Sequence, residues 1–291
     1  MSAHHQILAE LSRPYCVDPR WLAGALLQAC GSLKAEGAGA TWRSADPRRE
    51  RPAVNRGIAV IPIHGALSRR PDLFSALLGG GSTSAEALSG QIRELAAMPE
   101  VNCIVLDVDC PGGDLAGVAE LSDLIYGLRG TKRMVAVANG FAAGAAYWIA
   151  SACEDLVIAP EAQIGGIGVV QAHVDMSEFY RKAGLKHTLV SAGKYKTEGN
   201  AFEPLGAPAR AHMQAQVDDY YDSLVRAVAR NRGATQKAVR EGFGEGRTVG
   251  PGARAVKAGL ADRVASLNQV LLEQRFPGLG KAKARLSAAL H

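Results

Sequence analysis

The sequence is poor in aromatic residues and shows no pattern typical of a signal peptide. Aromatic side chains make up 5% of the 291 residues, and no basic run is interleaved with them. Specific recognition of nucleic acid therefore has no support. The N-terminus has no basic region followed by an apolar one, so we expect no signal peptide.

One uncharged segment is long enough to cross a bilayer. It covers residues 134–153, but small residues and the Asn139-Gly140 pair interrupt it. A buried strand and helix of an α/β core explain this pattern better than a membrane span does. We expect a soluble protein with no membrane partner.

Paired cysteines are also absent. The five cysteines are scattered, and none lies in a Cys-x-x-Cys pair. This pattern argues against a disulfide framework or a metal site and favours reduced thiols in a cytosolic protein. A nucleophile at Cys110 is the less favoured alternative to a core or loop cysteine.

Positive charge is in excess, mainly near the two ends. The net charge is +5, and basic residues concentrate in residues 43–56 and 275–285. Solvated end segments are the simpler interpretation, and a surface for an acidic partner is the alternative. We divide the chain into an N-terminal helix and mobile basic arm (1–56), a main domain (57–272) and a basic tail (273–291).

Strand and helix patterns alternate through the main domain. Apolar runs predict strands at residues 58–63, 102–108, 134–138, 156–158 and 188–190, and helical spacing predicts helices at 85–98, 115–128, 142–152 and 207–232. Asp18-Pro19 predicts the start of an earlier helix over 18–33, and Thr83 with Glu86 predicts a capping box. The alternation predicts an α/β fold of βαβ crossover units.

The segment from Phe141 to Trp148 has the form of a catalytic motif without its catalytic side chain. It follows an apolar strand and a predicted Asn139-Gly140 turn, and it opens an alanine-rich helix. A nucleophile at such a turn would be exposed at a helix N-terminus, where the dipole favours developing negative charge. Gly144 occupies that place and has no side chain.

Two further segments belong to the same candidate site. The Pro111-Gly112-Gly113 turn can point free N–H groups at an oxyanion, although a plain turn is the simpler interpretation of this motif alone. The Gly193-Lys194-Tyr195-Lys196 segment carries two lysines and is by itself typical of a solvated loop. His64 is more readily a strand-end residue than a catalytic base.

Together these segments resemble the signal peptide peptidase A family of Ser-Lys proteases and its close relatives, the phage capsid (head) maturation proteases. Five motifs of that family recur here in the same order, over roughly residues 57–270. The corresponding segments are Pro111–Gly113, Ala143–Tyr147, Gly165–Val169, Gly193–Lys196 and Gly259–Asp262. Each motif is unspecific alone, but five in order are strong evidence. Among the relatives, the short form expected here, unanchored and with an N-terminal helix and basic arm, most resembles the phage enzymes.

The resemblance implies a Clp-protease/crotonase-like fold that forms homo-oligomers. It implies a serine nucleophile at the position of Gly144, a general base at Lys196 and an oxyanion hole at Gly112 and Gly113. Such a protease uses no cofactor or metal. It would cleave scaffold and capsid proteins in the assembling prohead, in the cytoplasm of the bacterial host.

The chain departs from the family pattern at two positions. Gly144 stands where a serine is expected, and Gly166 stands where relatives often have a serine that helps to hold the lysine. Neither Ser151 nor Thr197 is an obvious substitute, and Lys194 is expected to face solvent. We therefore expect the chain to be inactive as it stands.

The missing hydroxyl leaves several interpretations open. Gly144 is either an engineered replacement for the serine of a capsid maturation protease or natural in a pseudo-protease that serves as a capsid assembly or scaffold-binding factor. A bacterial peptidase that degrades signal peptides is a further alternative. So is a crotonase-type acyl-CoA enzyme in which this glycine only permits close packing.

Overall fold

A computed structural model of the chain describes residues 13–22, 52, 54–70 and 83–276. The predicted N-terminal helix beyond residue 22, most of the predicted arm and the tail beyond residue 276 lie outside this range. The predicted start of the first helix is confirmed by a helical turn at residues 19–22. Asp18 Oδ1 accepts hydrogen bonds from the backbone N–H groups of Arg20 (2.9 Å) and Trp21 (3.4 Å) there.

Strands and helices alternate along the described part of the chain. The strands are β1 (Tyr15–Val17), β2 (Val54–Asn55), β3 (Ile58–His64), β4 (Leu67–Ser68), β5 (Thr83–Ser84), β6 (Cys103–Cys110), β7 (Gly112–Asp114), β8 (Arg133–Ala143), β9 (Asp155–Ile158), β10 (Gln163–Gly165), β11 (Thr248–Val249) and β12 (Arg263–Val264). The helices are α1 (Ala85–Ala97), α2 (Val118–Gly127), α3 (Ala145–Ser151), α4 (Ser177–Lys182), α5 (Ala207–Arg232), α6 (Gln236–Gly242), α7 (Gly252–Lys257) and α8 (Leu267–Arg275).

A parallel sheet positions the candidate site. β3, β6 and β8 pair in parallel, and β9 and β10 pair in parallel with successive parts of β8. Helices α1 and α2 connect β3 to β6 and β6 to β8, so the predicted α/β class of βαβ units is confirmed. A second sheet of four strands has the order β1-β7-β4-β5.

Apolar residues cover both faces of the parallel sheet, because successive side chains of a strand point to opposite faces. Ile104 and Leu106 of β6 lie in the larger core cluster with Ile125 of α2. Val105 lies on the other face in a smaller cluster with Val270 of α8. The strand is therefore buried on both sides, as its continuous apolar sequence predicts.

The predicted turn at Asn139-Gly140 is wrong. β8 runs through this pair because its last residues, 141–143, pair with β10. Gly140 has little space beside it, since a Cβ built there would lie 2.7 Å from Oδ1 of Asp109. Helix α3 therefore begins at Ala145 and not at residue 142.

Two other local predictions are wrong. Ser84, and not Thr83, caps α1, because the Thr83 hydroxyl exchanges hydrogen bonds with the backbone of His64 (2.9 and 3.1 Å). Residues 188–190 form no strand, since no described strand pairs with them, and Val190 is 94% exposed. Within the described ranges, no helix is both long and apolar enough to cross a membrane.

Candidate active site

Gly144 joins β8 to α3 in a backbone conformation that residues with a side chain rarely adopt. Its φ is 55° and its ψ is −120°. Its N–H donates to the carbonyl of Gly165 (2.9 Å), and its carbonyl accepts from the N–H of Trp148 (3.0 Å). Gly144 is buried at this sharp strand-to-helix turn, and glycine takes the positive φ without strain.

The structure brings Gly112 and Gly166 to this corner. A Cβ built at Gly166 would lie 3.4 Å from the backbone nitrogen of Gly144 and 3.3 Å from Cβ of Ala143. A Cβ built at Gly112 would lie 2.9 Å from the carbonyl oxygen of Ala143. Three positions that the sequence singled out therefore form one glycine-walled site.

Gly113 faces the strand β1 through its backbone. It is the ladder partner of Cys16, and the N–H of Asp18 donates to the carbonyl of Pro111 (2.9 Å) two residues along. Hydrogen-bonded pairs alternate in an antiparallel ladder, so Cys16 and Gly113 form the next such pair. This alternation directs the N–H of Gly113 to the carbonyl of Cys16.

β1 lies across the site, which the sequence did not predict. One edge of β1 pairs with β7, and on the other edge Tyr15 exchanges two backbone hydrogen bonds with Val170 (2.7 and 2.8 Å). A Cβ built at Gly144 would overlap the carbonyl oxygen of Cys16 and lie 2.5 Å from its carbonyl carbon. An extended peptide of the same chain thus fills the site.

Lys196 is not buried, and none of the atoms nearest to a Cβ built at Gly112, Gly144 or Gly166 belongs to it. It is exposed in a turn, where its N–H donates to the carbonyl of Gly193 (3.1 Å). Lys194 is exposed as predicted, with Nζ 4.8 Å from the ring centroid of Tyr195. Within the described chain, Lys196 is therefore a solvent-exposed residue.

The alternative nucleophiles are held in the core. Cys110 is fully buried, with Sγ 3.6 Å from the carbonyl oxygen of Gly112, and burial raises the pKa of its thiol to about 12. A thiolate is therefore disfavoured there. Ser151 is fully buried too, and its hydroxyl accepts a hydrogen bond from Nδ2 of Asn231 (3.0 Å).

His64 and Thr197 have structural surroundings. His64 ends β3, and its Nε2 lies 3.4 Å from Oδ2 of Asp107. The backbone carbonyl of Thr197 accepts a hydrogen bond from Nδ2 of Asn200 (2.7 Å) within the loop of residues 188–200, called the lysine loop below. Both positions agree with the simpler sequence interpretation, a strand end and a loop.

The predicted Gly259–Asp262 motif supports α3. The buried hydroxyl of Tyr147 donates to the carbonyl of Leu260 (3.1 Å). The Asp262 carboxylate accepts hydrogen bonds from Arg232 (2.7 and 3.0 Å) and from the N–H of Leu156 (2.7 Å). Burial alone would raise the pKa of Asp262, but these hydrogen bonds hold it below its ordinary value.

Comparison with known protein families shows to which family the chain belongs. Residues 128–275 match the model of peptidase family S49. The chain belongs to peptidase family S49. The S49 match contains the positions of Gly144, Gly166 and Lys196, and the predicted resemblance to the signal peptide peptidase A family is confirmed.

Two proteins to which this chain is similar come from phages. The chain is 34% identical over 230 residues to the head-tail preconnector protein GP5 of Enterobacteria phage P21, covering 77% of this chain and 44% of that protein. It is 31% identical over 242 residues to the capsid assembly protease C of Escherichia phage lambda, covering 83% and 54%. The chain thus spans about half the length of these relatives.

More distant similarities extend to a plant protein and a solved structure. The chain is 29% identical over 224 residues to the chloroplastic serine protease SPPA of Arabidopsis thaliana, covering 74% of this chain and 31% of that protein. It is also similar to a ClpP1 mutant from Listeria monocytogenes, with a TM-score of 0.43 and 15% identity, covering 71% of this chain and 91% of that one.

Proposed function

We propose that this protein is a serine-endopeptidase-type member of family S49 that acts on capsid and scaffold proteins during phage head assembly. We also propose that it is inactive as it stands, because Gly144 supplies no hydroxyl. One observation carries the proposal: an extended peptide lies antiparallel to Gly112–Asp114 with the carbonyl of Cys16 at Gly144. The phage relatives supply the class of substrate.

The roles of the site residues follow from this placement. A serine at position 144 would displace β1 and attack the carbonyl carbon of a substrate peptide that lies along β7 farther from residue 144 than Cys16 does, and Lys196 would take the hydroxyl proton and pass it to the leaving amine. The backbone at Gly112 and Gly113 would stabilise the developing oxyanion. A side chain at position 166 would touch the backbone of residue 144 and could help to hold the lysine. No cofactor is needed for this chemistry.

A second copy of the chain would complete the site in this proposal. The lysine loop is exposed together with apolar side chains, among them Leu189 (46%), Val190 (94%) and Tyr195 (57%). Apolar side chains grouped on one exposed segment favour contact with another chain. We expect a homo-oligomer in which this loop packs on a neighbour and delivers Lys196 to the neighbour's glycines.

A natural pseudo-protease that binds capsid or scaffold chains without cleaving them is the second candidate. The fit between Gly144 and Cys16 favours it, because any Cβ at position 144 would overlap the Cys16 carbonyl. The glycine is therefore suited to a groove that holds a peptide at very close range. Both candidates act in the assembling prohead, in the cytoplasm of the host.

The decisive experiment restores the hydroxyl. The Gly144→Ser variant is incubated with the capsid and scaffold proteins of the same phage, and fragments are mapped by mass spectrometry. We expect cleavage by this variant and none by the unchanged chain. Adding Lys196→Ala should lower the rate by about 10³-fold or more, the scale on which catalytic groups act, whereas adding Lys194→Ala should leave it unchanged.

The outcomes separate the two candidates. Stable binding of capsid or scaffold chains without cleavage by the Gly144→Ser variant would support the pseudo-protease. Neither binding nor cleavage would contradict both candidates.

A further inference from the structure

The segment around β1 is bound as a middle strand, although it is only three residues long. It has the β7 ladder on one side and the Tyr15–Val170 pair on the other. Beyond the strand, the N–H of Asp18 donates to Pro111. An isolated strand of this length has no stability of its own, so these contacts hold it in place.

Glycines make the close approach possible. A Cβ at Gly112 or at Gly144 would overlap the carbonyl oxygen of Cys16. A Cβ at Gly112 would also lie 3.0 Å from Cα of Val17. The atoms in the way belong to the backbone of β1, which cannot turn aside as a flexible side chain can. The strand fits only because both walls lack side chains.

The bound segment also shows what the groove accepts. The Cys16 side chain is fully buried, so the position at Gly144 takes a small apolar side chain. Tyr15 and Val17 on either side are 7% and 6% exposed. Three residues before Cys16, the guanidinium of Arg13 lies 3.9 Å from the carboxylate of Asp114. The groove therefore suits an extended peptide with a small central residue and a basic residue three positions earlier.

We propose that residues 13–18 are a built-in peptide ligand of this groove and that they exclude other peptides of the same class from it. They bind there because Gly144 has no side chain. The inference rests on the proposed peptide-binding function of the groove. It adds that the chain carries its own occupant, so that capsid or scaffold segments must displace β1 before they bind.

The rate at which the Cys16 thiol is alkylated measures whether β1 occupies the groove. The unchanged full chain is treated with iodoacetamide under native conditions, and alkylation of each cysteine is followed by peptide mapping. We expect Cys16 to react about 10³-fold more slowly than in the urea-unfolded chain, because the buried thiol yields little thiolate. Cys103 and Cys153 are buried in the core and report in the same maps whether the domain stays folded.

Two variants should release the strand. Gly144→Ala adds the Cβ that overlaps Cys16, and Tyr15→Pro removes the N–H that donates to Val170. We expect each to speed Cys16 alkylation by about 10-fold or more while the core cysteines stay protected, as local opening predicts. Gly233→Ala is the matched control, since Gly233 has a φ of +61° but nothing within 4 Å of its built Cβ. Cys16 should remain protected in it.

Peptide binding tests the ligand role separately. A fluorescent peptide with the sequence of residues 13–20 is titrated into the full-length Tyr15→Pro variant and into the unchanged chain. We expect saturable binding to the variant only, and no binding of a peptide with tryptophan in place of the cysteine.

Each outcome bears on a different claim. Equal Cys16 alkylation in the unchanged chain and in both strand variants would overturn occupancy. If Cys16 is protected in the unchanged chain but the peptide does not bind to the Tyr15→Pro variant, the ligand role is overturned and β1 is a structural strand. Binding of the peptide would uphold the inference even if the Gly144→Ser variant cleaves nothing, in which case only the protease proposal fails.

Discussion

The side chain of Arg129 caps the C-terminal end of α3, the helix that begins directly after Gly144. Its Nε donates to the carbonyl of Ala152 (2.8 Å). Its Nη2 donates to the carbonyls of Ser151 (3.0 Å), Cys153 (2.7 Å) and Asn231 (3.0 Å). One guanidinium therefore satisfies carbonyl groups that the helix end leaves without partners and ties them to α5.

Replacing this residue by methionine should be costly. A hydrogen bond to a charged group contributes about 1.5–3 kcal/mol, but Arg129 is only half-buried and water can reach some of the freed carbonyls. The guanidinium also lies 4.6 Å from the ring centroid of Tyr126, a contact that contributes about 0.5–1 kcal/mol. We expect Arg129→Met to lower the free energy of unfolding by about 3 kcal/mol, and Arg129→Lys by about 2 kcal/mol, since an ammonium reaches fewer carbonyls.

Urea unfolding followed by circular dichroism measures the loss. We expect the midpoint to fall with little change in the slope, because the surface exposed on unfolding stays the same. Arg70→Met is the matched control, since Arg70 pairs with Glu86 on an exposed surface, where solvent screening leaves an ion pair little effect on stability. If Arg129→Met were no more destabilising than this control, the assigned role of the guanidinium would be refuted.

Three further changes test the surroundings of the site, each by urea unfolding. Tyr147→Phe should cost about 1–2 kcal/mol, because the buried carbonyl of Leu260 loses its donor; no loss would mean that this bond is unimportant. The pKa of Asp262 is depressed in the folded chain, so its stabilisation is present above about pH 4 and is lost as the pH falls through the folded pKa. Asp262→Asn should flatten that acid dependence, and an unchanged pH profile would contradict the pairing with Arg232. Lys196→Ala should change the free energy of unfolding by less than about 0.5 kcal/mol, because its side chain is exposed; a larger loss would show an unrecognised contact.

The strands and long helices follow from local sequence patterns. The apolar run in β6 and the helical spacing of α5 predict their elements well, and α5 has the predicted bounds, 207–232. β6 is a continuous apolar run, and α5 has helical spacing with most of its buried residues in the C-terminal half, so local patterns identify both. Short elements that depend on a distant partner, such as the end of β8 beyond Asn139, do not show this signal.

The candidate site was only partly predictable for the same reason. The turn motifs place Gly112, Gly144 and Gly166 together, because each glycine needs a conformation or a close approach that the motif encodes. β1 was missed, since a three-residue run before Asp18 has no periodicity and is stable only through pairing in space. The position of Lys196 relative to the glycines also depends on packing that local sequence does not determine.

The central claim is that the glycine-walled groove holds a peptide of the chain itself at position 144. Hydrogen exchange at single-residue resolution on the unchanged chain tests it most directly. The N–H groups of Tyr15 and Asp18, which donate to Val170 and Pro111, should exchange at least about 100-fold more slowly than those of an unstructured chain. Exchange of both at the unstructured rate, while the amides of β6 remain protected, would contradict the account.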